Sequence, residues 1–386
     1  GYFKQMEGAP DIKPSEQADN KVDVTFKVEE QNRNQFTFGG GVSGYEGAFL
    51  NASFSTTNFL GAGETLSLAV QTGSRSKNYS LSVSEPYFLD RPITAGLNVY
   101  LSRITYLSYG TTVVGYGQQT QGIGVSTGIP VGRFSHVYAS YSYQIIDIYD
   151  VDTKQLTEAI TSYYATGTTL PVLDPSFFGG TGRRYESGIT PSYVRNTVDN
   201  PFLPRSGSRY TASFQYVGGV LQGTVNYIRP TLELVKYLPV GRRMALGVRG
   251  QIGYIHPFAD TTTIPYYQRY FLGGETQIRG YNIRTVSPYD PETKTSIGGN
   301  KFMLYNAEYY FDVLGPLRLL LFFDAGQAYA EGQGFYWKTM STSTGVEARF
   351  TMPVLNVPFR LIYAWNPNRD FYQPPHTFKF AVGTTF

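Results

Sequence analysis

Apolar and polar side chains alternate with a period of two along nearly the whole chain. In ETLSLAVQTG, Leu66, Leu68 and Val70 share one face, while Thr65, Ser67, Ala69 and Gln71 share the other. Tyr79, Leu81 and Val83 oppose Ser80, Ser82 and Ser84, and Ile93, Ala95, Leu97, Val99 and Leu101 oppose Thr94, Gly96, Asn98 and Ser102. The rule holds again for Tyr210, Ala212, Phe214 and Tyr216, and for Met244, Leu246, Val248 and Ile252. A period of two is that of a strand. No segment carries a convincing 3.6-residue stripe, so the pattern predicts an all-β chain.

Two architectures use many alternating antiparallel strands. A soluble sandwich or propeller buries the apolar face; a membrane barrel turns it to lipid and keeps small polar residues in its lumen. Here the polar faces hold Ser, Thr, Gly and Asn rather than charges. Segments run to about 10 residues, enough to cross a bilayer at a tilt, and aromatics gather near their ends, where interface girdles lie. These features predict a transmembrane antiparallel β-barrel. Short turns with Gly, Pro and Asn chemistry recur at 58–64, 85–92, 128–133, 200–207, 238–243, 314–318 and 353–358. Seven such turns with two free ends make eight hairpins, hence about 16 strands, an even number as barrels of this kind require. The opposite loops are short except at about 144–192 and about 256–301. The first of these predicts an external cap with a short surface helix.

Residues 1–33 differ. The segment up to Asn20 is polar and turn-rich, and in KVDVTFKVEE the residues Val22, Val24, Phe26 and Val28 alternate with Asp23, Thr25, Lys27 and Glu29. This predicts the last strand of a small soluble domain, a linker, and a barrel over 34–386. With no initiator methionine and no basic-then-apolar leader, the chain reads as a piece of a longer, processed protein.

Composition sharpens the choice. Tyr 33 and Phe 26 make the chain 16% aromatic, yet mean hydropathy is −0.24, because the aromatics are scattered singly among small polar residues. No run of 18 apolar residues predicts a membrane helix. A net charge of +3 argues against nucleic acid as a partner. With 0 cysteines there is no thiolate metal site and no cysteine nucleophile. His136, His256 and His376 have no metal-ligand spacing, Gly-x-Ser-x-Gly is absent, and GGETQIRG lacks the Lys-Ser/Thr of a phosphate loop. The expectation is no enzyme, no metal and no cofactor.

One arginine stands out. In GGETQIRGY (273–281) the glycines allow close approach and positive φ, so Arg279 is expected to tuck into the lumen rather than remain a solvated loop charge. A buried arginine needs carboxylates. With Leu317, Leu319, Leu321 and Phe323 facing lipid, Asp324 faces the lumen; with Val346, Ala348 and Phe350 outward, Glu347 faces it too, and Glu308 points inward on the strand before. At the barrel's ends, the first strand QFTFGGGVSG carries Gly39, Gly40 and Gly41 beside Phe36 and Phe38. That run reads equally as a bulge or as a weak seam. The last strand follows Pro374 and Pro375, which donate no ladder hydrogen bonds, and contains Phe380, Val382 and Gly383 before the terminal Phe386.

The turns NFLGAGE, EPYFLDRP and NPFLPRSGSRY, the Ile278-Arg279-Gly280-Tyr281 motif (usually Val-Arg-Gly-Phe), FFDAG at 322–326 and the terminal HTFKFAVGTTF come in a joint order that is specific. In these the chain resembles the C-terminal part of the BamA family of bacterial outer-membrane protein assembly factors. That family shares a superfamily with two-partner-secretion transporters and organellar outer-membrane translocases. VDVTFKVEE resembles the end of the last periplasmic POTRA domain. The resemblance implies a barrel with its sixth extracellular loop in the lumen, with Arg279 paired first to Asp324 and second to Glu347. It also implies a seam between first and last strands that templates nascent strands by β-augmentation, in a bacterial outer membrane. The implied partners are nascent outer-membrane β-barrel proteins, assembly-complex lipoproteins, periplasmic chaperones, membrane lipid and lipopolysaccharide. The alternatives are a polypeptide secretion pore and a passive porin.

Overall fold

The computed structural model describes residues 10–15, 21–27, 33–44, 46–59, 63–107, 113–165, 182–201, 203–290, 292–352, 357–369 and 373–382. Among these, sixteen long strands close into one antiparallel barrel: β1 (Asn34–Ser43), β2 (Gly47–Thr57), β3 (Thr65–Gly73), β4 (Ser76–Glu85), β5 (Thr94–Tyr106), β6 (Tyr116–Gly132), β7 (Ser135–Tyr149), β8 (Gly182–Asn196), β9 (Gly207–Val217), β10 (Tyr227–Gly241), β11 (Met244–Tyr254), β12 (Lys301–Leu314), β13 (Leu317–Tyr329), β14 (Ser341–Met352), β15 (Val357–Asn368) and β16 (His376–Val382). A two-residue strand, His256–Pro257, adds to β10 at the rim. Each strand pairs with its sequence neighbour, and β16 returns to β1. The strand count read from the turns holds, but the chain reverses more tightly than read at 128–133 and 238–243, where β6 runs on to Gly132 and β10 to Gly241; residues 60–62, 202 and 353–356 of the turns lie outside the described residues. Among the described residues no helix is long and apolar enough to cross a membrane.

The period of two sets the faces. On β13 the outward Leu319, Leu321 and Phe323 are exposed, and the intervening Arg318, Leu320, Phe322 and Asp324 are buried. An apolar outer belt over a buried polar interior is a lipid-facing barrel. The turn at 197–206 is organised by Asp199. Its Oδ1 accepts from the backbone N–H groups of Asn200 (2.9 Å), Arg205 (3.0 Å) and Ser206 (3.2 Å). Burial opposes its charge, but these N–H groups, led by Arg205 and Ser206, hold its carboxyl below the usual range.

Three readings are sharpened. The fourth loop is shorter than 144–192, because β7 and β8 stay paired out to Ile148↔Gly182. The outer face there carries charges, with Arg183 Nη2 3.9 Å from Asp147 Oδ2, so the apolar alternation stops while the ladder continues. That loop also carries an α-helix, α1 (Thr153–Ala165), which lies at the surface with Lys154 and Glu158 exposed on one face and is docked on the other. Leu156, Ala159 and Ile160, a helical i, i+3, i+4 stripe, are buried against Tyr116, Ile146, Tyr266 and Ile297. Asp152 caps it, its Oδ1 accepting from the Gln155 N–H at 3.0 Å. Thirdly, Gly39, Gly40 and Gly41 form no bulge: β1 pairs with β2 in unbroken register from Asn34↔Thr56 to Ser43↔Gly47.

Near the N-terminus, Asp11–Pro14 pairs antiparallel with Val22–Thr25, and both strands are exposed. Val28 and Glu29 lie outside the described residues, as do all of 166–181 and the seam candidates Gly383 and Phe386.

Candidate functional site

The sixth loop (255–300) folds inward and fills the lumen. Its Leu272, Ile278, Tyr281 and Val286 pack against Phe302, Leu304 and Ala328 of the barrel wall. The backbone doubles back on itself, with Leu272 and Val286 exchanging hydrogen bonds at 2.9 and 3.0 Å. Gly273 sits at φ +110°, where a Cβ would lie 2.2 Å from the Asn282 carbonyl oxygen. Gly280, at φ +93°, passes so close to the wall that a Cβ would meet Asn366 Oδ1 at 2.3 Å. Asn366 has little room to retreat, since its Nδ2 donates to Gly280 O (3.0 Å) and Pro374 O (2.8 Å). Gly280→Ala is therefore expected to weaken docking of this loop by about 1–3 kcal/mol. Limited proteolysis between residues 273 and 300 measures it, with faster cleavage as the expected result.

This geometry delivers Arg279 to the interior, where it is 0% exposed. Its Nε and Nη2 donate to Asp324 Oδ2 (2.8 Å) and Oδ1 (2.7 Å), a bidentate pair, and its backbone N–H adds a third bond to Asp324 Oδ2 at 3.0 Å. Nη1 donates to Glu308 Oε1 at 2.6 Å and to Glu347 Oε2 at 3.1 Å. The guanidinium carbon lies 3.8 Å from the centre of the Phe322 ring. That ring packs over Gly345, where a Cβ would meet it at 2.9 Å.

The cluster is larger than the sequence reading. Asp324 and Glu347 are placed as the resemblance implied, but Glu308 lies closer to Arg279 than Glu347 does. Two further buried arginines complete it. Arg360 donates to Glu347 Oε1 (2.7 Å) and Oε2 (2.8 Å), and Arg349 lies 2.9 Å from Glu347 Oε1 and 3.4 Å from Glu308 Oε1. Three guanidinium groups thus face the three carboxylates of Glu308, Asp324 and Glu347 in balance. Alternation held the missing signal: Arg349 is two residues from Glu347, hence on the same face. Tyr281, where the family usually has phenylalanine, uses its hydroxyl: it lies 2.6 Å from the Asn368 carbonyl oxygen and 3.1 Å from that of Thr342.

The loop is also tied to the far wall. Glu186 on β8 accepts from the Tyr267 hydroxyl (3.0 Å) and from Gln268 Nε2 (2.9 Å). Arg284 stacks 3.8 Å from the Phe271 ring and donates to the Tyr116 hydroxyl at 3.2 Å. Helix α1 covers the loop from outside, with Gln155 Nε2 donating to Thr295 Oγ1 at 3.1 Å.

At the seam, Phe36 and Phe38 of β1 and Phe380 of β16 are exposed on the outer face. Val382 breaks the alternation. It packs on the inner side against lumen-facing Gly41, where a Cβ would lie 3.1 Å from Val382 Cβ, and it lines a lumenal cavity with Phe271 and Arg284. Among the described residues no group of three or more His, Asp or Glu could hold a metal ion.

Fold and site together define a transmembrane outer-membrane β-barrel whose lumen is occupied by an arginine-anchored loop. The Omp85 superfamily domain matches residues 58–386, and the chain belongs to this superfamily. It is 26% identical to the outer membrane protein assembly factor BamA of Nitratidesulfovibrio vulgaris, over 100% of this chain and 45% of that protein. The chain thus spans about half the length of the curated relatives it matches. Its fold is similar to that of Haemophilus ducreyi BamA lacking POTRA domains 1–3, with TM-score 0.80 at 20% identity over 99% of this chain and 76% of that one. It is less similar to CdiB from Acinetobacter baumannii, with TM-score 0.57 at 12% identity over 97% of this chain and 64% of that one.

Proposed function

We propose that this chain is the membrane part of an outer-membrane protein assembly factor, which folds and inserts β-barrel proteins at the seam between β1 and β16. The observation that carries the reading is the filled lumen. Arg279 and its three carboxylates hold loop six across the channel, so the barrel is built around its wall rather than around an open pore. A porin would leave its lumenal charges to solvent, whereas Arg349 and Arg360 are buried on Glu347. At the seam, parting β1 from β16 would expose a strand edge, and unpaired N–H and C=O groups are a template for another strand. The partners on this reading are nascent β-barrel proteins, with assembly lipoproteins, periplasmic chaperones, lipid and lipopolysaccharide around them. Residues 1–33 belong to a preceding periplasmic POTRA domain, which their short exposed strand pair supports. The chain itself carries out no catalysis and needs no cofactor.

The likeness to CdiB supports a second reading, a polypeptide secretion pore. One experiment separates the two. Gly41→Cys with Val382→Cys places two Cβ atoms about as close as a disulfide needs. Oxidised barrels in liposomes should stop assembling a β-barrel substrate, and reduction should restore assembly. Full assembly by the oxidised form would overturn the seam mechanism. A large, steady conductance through the untreated barrel would favour the pore.

A further inference from the structure

We infer that loop six is also the latch of the seam, holding β1 and β16 together from inside through Glu275 and Lys379. This extends the assembly reading to what keeps its opening shut, but the geometry behind it is independent of that reading. Glu275 follows the paired glycines of the loop and is buried at 6% exposure. Its Oε1 accepts from the backbone N–H of Gly44, just beyond the end of β1, at 2.9 Å. Lys379 lies on β16, on the other side of the seam, and its ammonium donates to the Tyr281 carbonyl oxygen at 2.6 Å.

The two attachments are almost one. The Gly274 N–H donates to the same Tyr281 oxygen at 3.1 Å, closing residues 274–281 into a compact clip. The path from β1 to β16 therefore runs from Gly44 through Glu275 and Gly274 to Tyr281 and Lys379, and most of it is hydrogen-bonded backbone. The Glu275 carboxylate also attracts the Lys379 ammonium directly. Ile283 reinforces the β1 side: a Cβ at Gly44 would meet its Cδ1 at 3.0 Å. Between the two strands and the loop lies a cavity of about 430 Å³, lined by Gly44, Ser74, Glu275, Ile283, Lys379 and Phe380. The wall is thus not close-packed at this point, and the polar bridge carries what apolar packing would carry elsewhere.

The clip does not float. Arg279 lies inside it and is bidentate to Asp324 on β13, three strands from β16. While both attachments hold, the clip bridges the seam, so separating β1 from β16 must break the Glu275–Gly44 bond or the Lys379–Tyr281 bond. The clip cannot stretch to follow a departing strand without pulling Arg279 out of its cluster, which strands buried charges. Glu275 and Lys379 are positioning residues in this scheme: they set how often the edge is exposed and do not touch an incoming strand.

Hydrogen exchange of the purified chain in lipid nanodiscs tests the latch, because local opening is read amide by amide. Glu275→Ala and Lys379→Met should each speed exchange of amides in 36–43 and 376–382 about 10- to 100-fold, the change in opening that one charged hydrogen bond controls. Glu275→Gln keeps an acceptor oxygen and should show a smaller increase. The double variant should exchange little faster than either single one, since both cut the same bridge. Asp312→Asn is the control, as it removes a charge paired with Arg318 at 2.6 Å and neither residue bonds to the clip. Unchanged exchange at the seam, or an equal rise in the control, would overturn the latch. Should Glu275→Ala fail to fold, Lys379→Met and Glu275→Gln decide the question alone. Assembly activity is scored separately: faster seam exchange without any assembly activity would keep the latch and remove the assembly reading.

Discussion

Arg279→Ala should release loop six while leaving the sixteen-stranded wall intact. The variant removes the cation shared by Asp324, Glu308 and Glu347, at 2.7, 2.6 and 3.1 Å. Asp324 is left worst, because apart from Arg279 its recorded donor is the neutral Asn306 Nδ2 at 2.8 Å. Breaking a buried pair from one side costs about 3–5 kcal/mol. That cost falls on loop docking rather than on the strands, since the barrel ladders make no use of Arg279. The expected result is a folded barrel of nearly unchanged β content whose residues 273–300 are cut by protease orders of magnitude faster. Arg279→Lys should rescue little, because an ammonium cannot be bidentate to Asp324 and reach both glutamates at once. An uncut loop in Arg279→Ala would show that the remaining anchors, Glu186 and Arg284, suffice.

Glu347→Gln should behave differently and should damage the wall as well. Glu347 joins the loop to two strands: it faces Arg279, Arg349 on its own strand β14, and Arg360 on β15. Neutralising it leaves three buried guanidinium groups for two carboxylates, an uncompensated buried charge. A loss of about 3–5 kcal/mol is expected, spread over the β13–β15 wall, with a lower thermal midpoint for the whole barrel. Asp324→Asn is the informative comparison. Asp324 holds the loop but no other arginine of the cluster, so that variant should free the loop with a smaller shift in the midpoint. Equal shifts for Glu347→Gln and Asp324→Asn would mean that the cluster is a single indivisible unit.

The contrast between these residues marks what could be read in advance. Asp324, Glu347 and Glu308 are assignable to the lumen because each alternates with an outward apolar neighbour, Phe323, Val346 and Tyr309. The same logic covers Arg349 and Arg360, yet nothing in a linear sequence says that they converge on Glu347. Convergence depends on register: Glu347 opposes Leu320 on β13 and Ile362 on β15, and Glu308 opposes Phe322. A one-residue slip would turn each of these strands inside out. The bounds and docking face of helix α1 were not legible for a related reason. Its apolar stripe is only Leu156, Ala159 and Ile160, too short to stand out, and it is stabilised by docking on Tyr266 and Ile297 rather than by its own propensity. Val382 departs from the alternation of Phe378 and Phe380, which assumes a strand that stays in the wall, because the chain turns its side chain onto Gly41.

The sequence by itself determined the strand number, the turns, the two faces of the barrel and the side on which the charged residues stand. These are consequences of local Cβ geometry and turn chemistry, which act over a few residues and survive in a linear reading. Only the tertiary structure decided how Arg279 is shared among three carboxylates, how Glu186 and Arg284 tether the far side of the loop, and how Glu275 and Lys379 meet across the seam. Those contacts join residues that are distant along the chain. Barrel closure and the path of one long loop bring them together, and no local period encodes either.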